Sequence, residues 1–233
     1  MEKALVLLSG GLDSTVAAVL ARDVTRPVLA LTVDYGQKAA KRELAASYAL
    51  SRRLGLEHRV VYLPFLREAA QGALVDRAAD VPRPAAADLD DREASARSAA
   101  AVWVPARNFA FIAMAATWAE AGGAKHVVVG FNREEAATFP DNSAEFLEAT
   151  NRALAYATRN AVQVISPTAG MDKREIVAAG RAADAPLEWC WSCYLGGDQP
   201  CGTCESCRRF DRAVAAAGVG EWLEERRRRR DSS

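Results

Sequence analysis

Ser9-Gly10-Gly11-Leu12-Asp13-Ser14-Thr15 places two glycines, three hydroxyls and a carboxylate directly after an apolar run, Ala4 to Leu8. Glycines let the chain turn sharply and bring backbone N–H groups close to an anion, and a helix opening at once adds a partial positive charge. The hydroxyls of Ser9, Ser14 and Thr15 can donate to phosphate oxygens. These residues make an anion cradle. The loop lacks the lysine of a Gly-Lys-Ser/Thr phosphate loop and the third glycine of the dinucleotide fingerprint, which excludes both motifs.

The second constellation is WCWSCYLGGDQPCGTCESC, which holds all five cysteines of the chain, Cys190, Cys193, Cys201, Cys204 and Cys207. Overlapping CxxC steps near Gly202 form turns in which thiolates converge on one ion. Four ligands suffice, and Cys193, Cys201, Cys204 and Cys207 are the expected set, with Cys190 spare. All-sulfur ligation favours zinc, one ion per chain, and an iron–sulfur cluster also accepts four cysteines. Four protein ligands leave no open position, so the expected role is structural: to staple a C-terminal flap beside the active site.

Loop and cluster need a scaffold. Strand-length apolar runs alternate with helix-period segments, which predicts an α/β fold: a Rossmann-like parallel sheet covered by helices on both faces. The predicted strands are Ala4 to Leu8, Pro27 to Val33, Arg59 to Leu63, His126 to Gly130 and Val162 to Ser166. Helices are expected over Asp13 to Arg22, with Asp13 and Ser14 suiting its start, and over Lys38 to Leu54, Asn108 to Ala121, Ser143 to Thr158 and Lys173 to Ala183. Residues 71–101, rich in Ala, Asp and Arg, are expected to add little core and to form a mobile insertion. The resulting division is a nucleotide domain over 1–185 and a zinc-binding segment with a charged tail over 186–233.

Lysine plus arginine (30) balances aspartate plus glutamate (30). That gives no strong field for nucleic acid or anionic lipid and favours small-molecule substrates. The basic run Arg226 to Arg230 follows Glu221, Glu224 and Glu225 and reads as a solvated helix end. No stretch is long enough to span a bilayer and no export signal is visible, so a cytoplasmic, reducing location is expected.

The cradle string resembles the SGGxDS signature of PP-loop ATP pyrophosphatases. That resemblance implies that the stretch Leu8 to Thr15 binds ATP with Mg²⁺ as co-substrate, and that backbone groups around Val33 in Val33-Asp34-Tyr35-Gly36-Gln37 lie near the adenine. Together with Val104-Pro105-Ala106-Arg107-Asn108, the GFN…FPD stretch and the cysteine segment, the chain resembles the 7-cyano-7-deazaguanine synthase family from about residue 3 to 209. The resemblance implies a homodimeric ATP-dependent ligase. A deazaguanine carboxylate is adenylated and trapped by ammonia as an amide, and the amide oxygen is then activated and lost to leave the nitrile. It also implies that Asp13 and Ser14 are catalytic, binding phosphate and metal, with Arg107 and Lys173 as catalytic partners and Asn108 and Asp141 binding the deazaguanine. Two departures stand out. Ala106 occupies the glycine of a more usual VPGRN, and Asn142-Ser143 replace a Cys-Arg pair after Pro-Asp. The second leaves open an enzyme that stops at the amide or uses another amine. The loop alone also admits a transfer-RNA-modifying adenylating enzyme.

Overall fold

The computed structural model describes residues 1–232. Five parallel strands, β1 (Lys3–Leu7), β2 (Arg26–Asp34), β3 (Glu57–Tyr62), β4 (His126–Val128) and β5 (Gln163–Ile165), lie in the order β3-β2-β1-β4-β5. All five coincide with predicted strands, so the α/β reading holds.

Alternation along β1 explains why its run is apolar throughout. Ala4, Val6 and Leu8 point to one face, where they pack on Ala17 and Ala18 of α1 (Leu12–Leu20) and Leu50 of α2 (Ala40–Arg53). Leu5 points to the other, against Leu31, Val127 and Val164 of the sheet and Ile112 and Ala115 of a later helix. A sheet buried on both faces requires this pattern.

After β3 come α3 (Phe65–Ala69), α4 (Arg92–Ala101) and α5 (Arg107–Ala121), which supplies Ile112 and Ala115. Here the structure departs from the expected insertion. Within 71–101, Leu74, Val75, Val81, Leu89 and Ala99 are buried, and Asp91 caps α4 by accepting from the Ala94 amide at 2.7 Å. The apolar groups are few but spaced to face inward, and the high alanine content suits a helix packed closely on its neighbours. The segment therefore contributes core.

Beyond β4 lie α6 (Arg133–Ala136), α7 (Ala144–Ala157), α8 (Lys173–Ala182), α9 (Glu205–Ala216) and α10 (Gly220–Asp231). Leu12 and Val16 of α1 share one core with Ile176 and Val177 of α8, Phe210 and Ala213 of α9 and Leu223 of α10. The C-terminal segment is thus built onto the sheet domain through common side chains. In the arginine tail, Arg226 pairs with Glu188 and Asp184, and Arg227 with Glu224. Among the described residues no helix is long and apolar enough to cross a membrane.

Candidate active site and cysteine centre

In the strand order the chain runs outward from β1 in both directions, so the connections after β1 and β4 turn to opposite sides and leave a crevice at the carboxyl ends of the strands. Open parallel sheets bind ligands at such a switch point. A cavity of about 290 Å³ sits there, with Leu8, Ser9, Gly11, Asp13 and Ser14 on one side and Gly130, Phe131 and Glu135 on the other.

The cradle takes the conformation its glycines allow. Gly10 has φ +86°, a left-handed value, and a β-carbon there would lie 2.8 Å from the Glu43 carbonyl oxygen. Gly11 then occupies the cap position of α1 and offers no side chain to the first turn, which leaves those amides to a ligand. The helix therefore starts at Leu12, and Asp13 and Ser14 lie inside its first turn rather than capping it. The Ser14 hydroxyl lies 3.0 Å from that of Ser9 and accepts from the Ser9 amide at 3.2 Å. Thr15 turns away: it is fully buried, and its hydroxyl donates to the Gly11 carbonyl at 2.7 Å. Gly10 and Thr15 are the two members of Leu8 to Thr15 that do not line the cavity.

Lys173 begins α8 and reaches across the crevice. Its ammonium bonds the Asp13 carboxylate and, at 2.5 Å, Glu135 Oε1. Burial opposes the charge on Lys173, but the two carboxylates outweigh it and hold the pKa above the ordinary lysine value. Burial pushes the Asp13 carboxyl up to about 6 in spite of that pairing. Asp13 Oδ1 is buried with no partner, so the cradle holds a polar atom still to be satisfied.

Arg107 and Asn108 open α5 on the same cavity. The guanidinium lies 5.9 Å from the Tyr35 ring centre and donates to the Tyr35 hydroxyl at 3.4 Å. Ala106, just before it, has φ 55° and ψ 18°, a left-handed conformation that accounts for the glycine usual at this point of the motif. Asn108 donates to the Asp141 carbonyl at 3.2 Å. Asp141 itself sits behind the wall, buried, with Oδ1 unpartnered, while its neighbours Phe139 and Asn142 face the cavity. Val33 lines the floor, but its carbonyl accepts from the Gln37 side chain at 3.2 Å. Asp34 serves the turn, accepting from the Gly36 amide at 2.9 Å.

Glu135, Glu43 and Tyr194 also line the cavity, and none of them belongs to a motif with a recognisable spacing. Glu43 is held by Gln37 Nε2 at 2.7 Å, and burial raises its pKa. The acidic pair after Gly130-Phe131-Asn132 was the only available sign of Glu135.

The Sγ atoms of Cys193, Cys201, Cys204 and Cys207 lie within 4.8 Å of one another. Cys193 Sγ accepts from the Leu195 and Cys201 amides at 3.3 and 3.4 Å, and Cys201 Sγ from the Cys204 amide at 3.3 Å. Backbone donors on sulfur stabilise thiolates, so these residues fit a metal ion. Cys190 stands apart, with its thiol 3.5 Å from the Thr15 hydroxyl. The centre adjoins the cavity: Trp191, Ser192, Cys193 and Tyr194 line it, and the Trp191 amide donates to the Gly10 carbonyl at 2.9 Å.

Residues 3–218 match the family model described as queuosine biosynthesis protein QueC. The chain is 51% identical to a 7-cyano-7-deazaguanine synthase of Desulforudis audaxviator over 93% of this chain and 98% of the relative. The same-named protein of Pelotomaculum thermopropionicum is 50% identical over 93% and 98%. That of Methanosarcina mazei is 44% identical over 96% and 98%.

Proposed function

We infer the roles of the cavity residues from one premise: the chain belongs to the QueC family and is a 7-cyano-7-deazaguanine synthase, an ATP-dependent ligase. ATP lies with its phosphates on the amides of Gly11 to Ser14 and its base over the Leu31 and Val33 floor. Asp13 and Ser14 serve phosphate and metal, and Mg²⁺ would screen the charge that develops on pyrophosphate.

Lys173 and Arg107, which both line the cavity, supply positive charge to the reacting phosphate. The carboxylate of the deazaguanine acid attacks there, which turns a poor leaving oxygen into a good one. Ammonia then displaces AMP from the acyl adenylate without a protein nucleophile, giving the amide. The amide oxygen attacks a second ATP, releasing pyrophosphate, and leaves as AMP while nitrogen loses its two protons, which gives the nitrile. Asn108 orients the deazaguanine, and Asp141 acts behind it through the loop that carries Asn142. The observation that carries this reading is the Asp13–Lys173 contact, which joins the cradle to a cation across a single cavity.

The cysteine centre holds one structural zinc ion through Cys193, Cys201, Cys204 and Cys207. The convergence of four thiols within 4.8 Å of one another supports this, and four sulfur ligands would complete a tetrahedral zinc site. A cytoplasmic location follows from the need for reduced thiols. A homodimer is in keeping with the family.

Steady-state kinetics test the substrate assignments. Asn108→Ala is expected to raise KM for the deazaguanine acid on the order of ten-fold and to leave KM for ATP within about two-fold. A rise confined to ATP would move Asn108 to the nucleotide.

A further inference from the structure

Lys173 is held at its backbone as well as at its ammonium. Three consecutive side chains of α6 grip the start of α8. Arg133 donates to the Gly170 carbonyl at 3.0 Å and to Glu175 at 3.0 Å, Glu134 Oε2 accepts from the Lys173 amide at 3.2 Å, and Glu135 takes the ammonium. Glu134 has a second set of partners. Its Oε1 accepts from Arg209 at 2.6 Å and Arg212 at 2.9 Å, both on α9.

α9 is the helix that leaves the cysteine centre, with Cys204 at its cap and Cys207 in its first turn. Arg209 is also tied by Glu205 at 2.8 Å and donates to Ser95 Oγ of α4 at 3.2 Å. The Arg209 and Glu134 side chains are only 14% and 19% exposed, so the pair is poorly screened and geometrically fixed.

We propose that Arg209 and Glu134 are positioning residues that transmit the placement of the cysteine-centre helix to Lys173. Two arginines hold one oxygen of Glu134 while its other oxygen holds the Lys173 amide, so a shift of α9 moves the start of α8 and carries the ammonium away from the cradle. The cysteine centre, though it offers no open ligand position, then bears on the nucleotide site through this chain of contacts. This role rests on Lys173 serving the phosphates.

Calorimetric titration with Mg-ATP, in the absence of the deazaguanine acid, tests it together with zinc content and melting temperature. Arg209→Met and Glu134→Gln approach the link from its two ends. Each is expected to weaken Mg-ATP binding on the order of ten-fold, with one zinc retained. Lys173→Met is expected to weaken it at least as much, and the Arg209→Met/Lys173→Met double variant no further, because the effect of Arg209 runs through Lys173. Wild-type affinity in both single variants, loss of zinc from both, or losses that multiply in the double variant would overturn the proposal. Wild-type binding and turnover by Lys173→Met would instead remove the reading of Lys173 on which it stands.

Discussion

Gly130 lies so close to Ser14 that a β-carbon added to the glycine would sit 2.5 Å from the Ser14 amide nitrogen. The loop after β4 therefore closes on the first turn of α1, and the two sides of the crevice meet at backbone distance. Gly130→Ala should push the cradle open. The expected outcome is a loss of about 1–3 kcal/mol in stability by denaturant unfolding, together with weakened ATP binding. Unchanged stability and affinity would mean that the loops separate freely.

Ala106 offers the opposite case. Its left-handed backbone immediately before Arg107 is strained for alanine and relaxed for glycine. Ala106→Gly should stabilise the protein by about 0.5–1 kcal/mol, the relief of strain being partly offset by the greater freedom of glycine in the unfolded chain. Chemical denaturation of the two proteins measures it, and a destabilised variant would show that the turn depends on the alanine methyl.

Asp13 makes no capping bond, so its removal is expected to spare α1 while abolishing pyrophosphate release in Asp13→Ala. Its titration also has a sign. The folded pKa of about 6 lies above the ordinary aspartate value, so between the two the native state holds a proton that the unfolded chain has released. The contribution of this carboxyl to stability falls as pH rises from about 4 to 6 and stays low above that. Asp13→Asn should have a flatter stability profile over the same window, measured by thermal unfolding without nucleotide. A profile parallel to that of the wild type would contradict the burial argument.

The parts of this site that the sequence makes legible are local. The glycine loop, the five strands and the cysteine spacing each lie in short windows where period or motif fixes the outcome. The contacts that complete the site are not local. Glu135 and Lys173 meet through the folding of α6 onto α8, and no spacing rule pairs residues 38 apart. Low apolar content concealed residues 71–101 for a different reason: Val81 and Ala73 are few, but they are packed on Cys193, Cys204 and Cys207. Thr15 reads as a phosphate donor until its Gly11 bond is seen.

That packing gives a metal prediction. Serine substitution of Cys193, Cys201, Cys204 or Cys207 should lose zinc by elemental analysis, whereas Cys190→Ser should keep one ion per chain. Chelation should speed amide hydrogen exchange around Ala73 and Val81, which pack on the thiols, more than in β1. Zinc lost with Cys190→Ser but kept with Cys193→Ser would reassign the ligands.

Mass spectrometry of a reaction containing 7-carboxy-7-deazaguanine, ammonia and Mg-ATP tests most directly that the cradle and its facing cations perform adenylation. AMP, pyrophosphate and 7-cyano-7-deazaguanine are the expected products, with the amide appearing first and then being consumed. ADP as the nucleotide product, or AMP with neither amide nor nitrile formed from the acid, would contradict it.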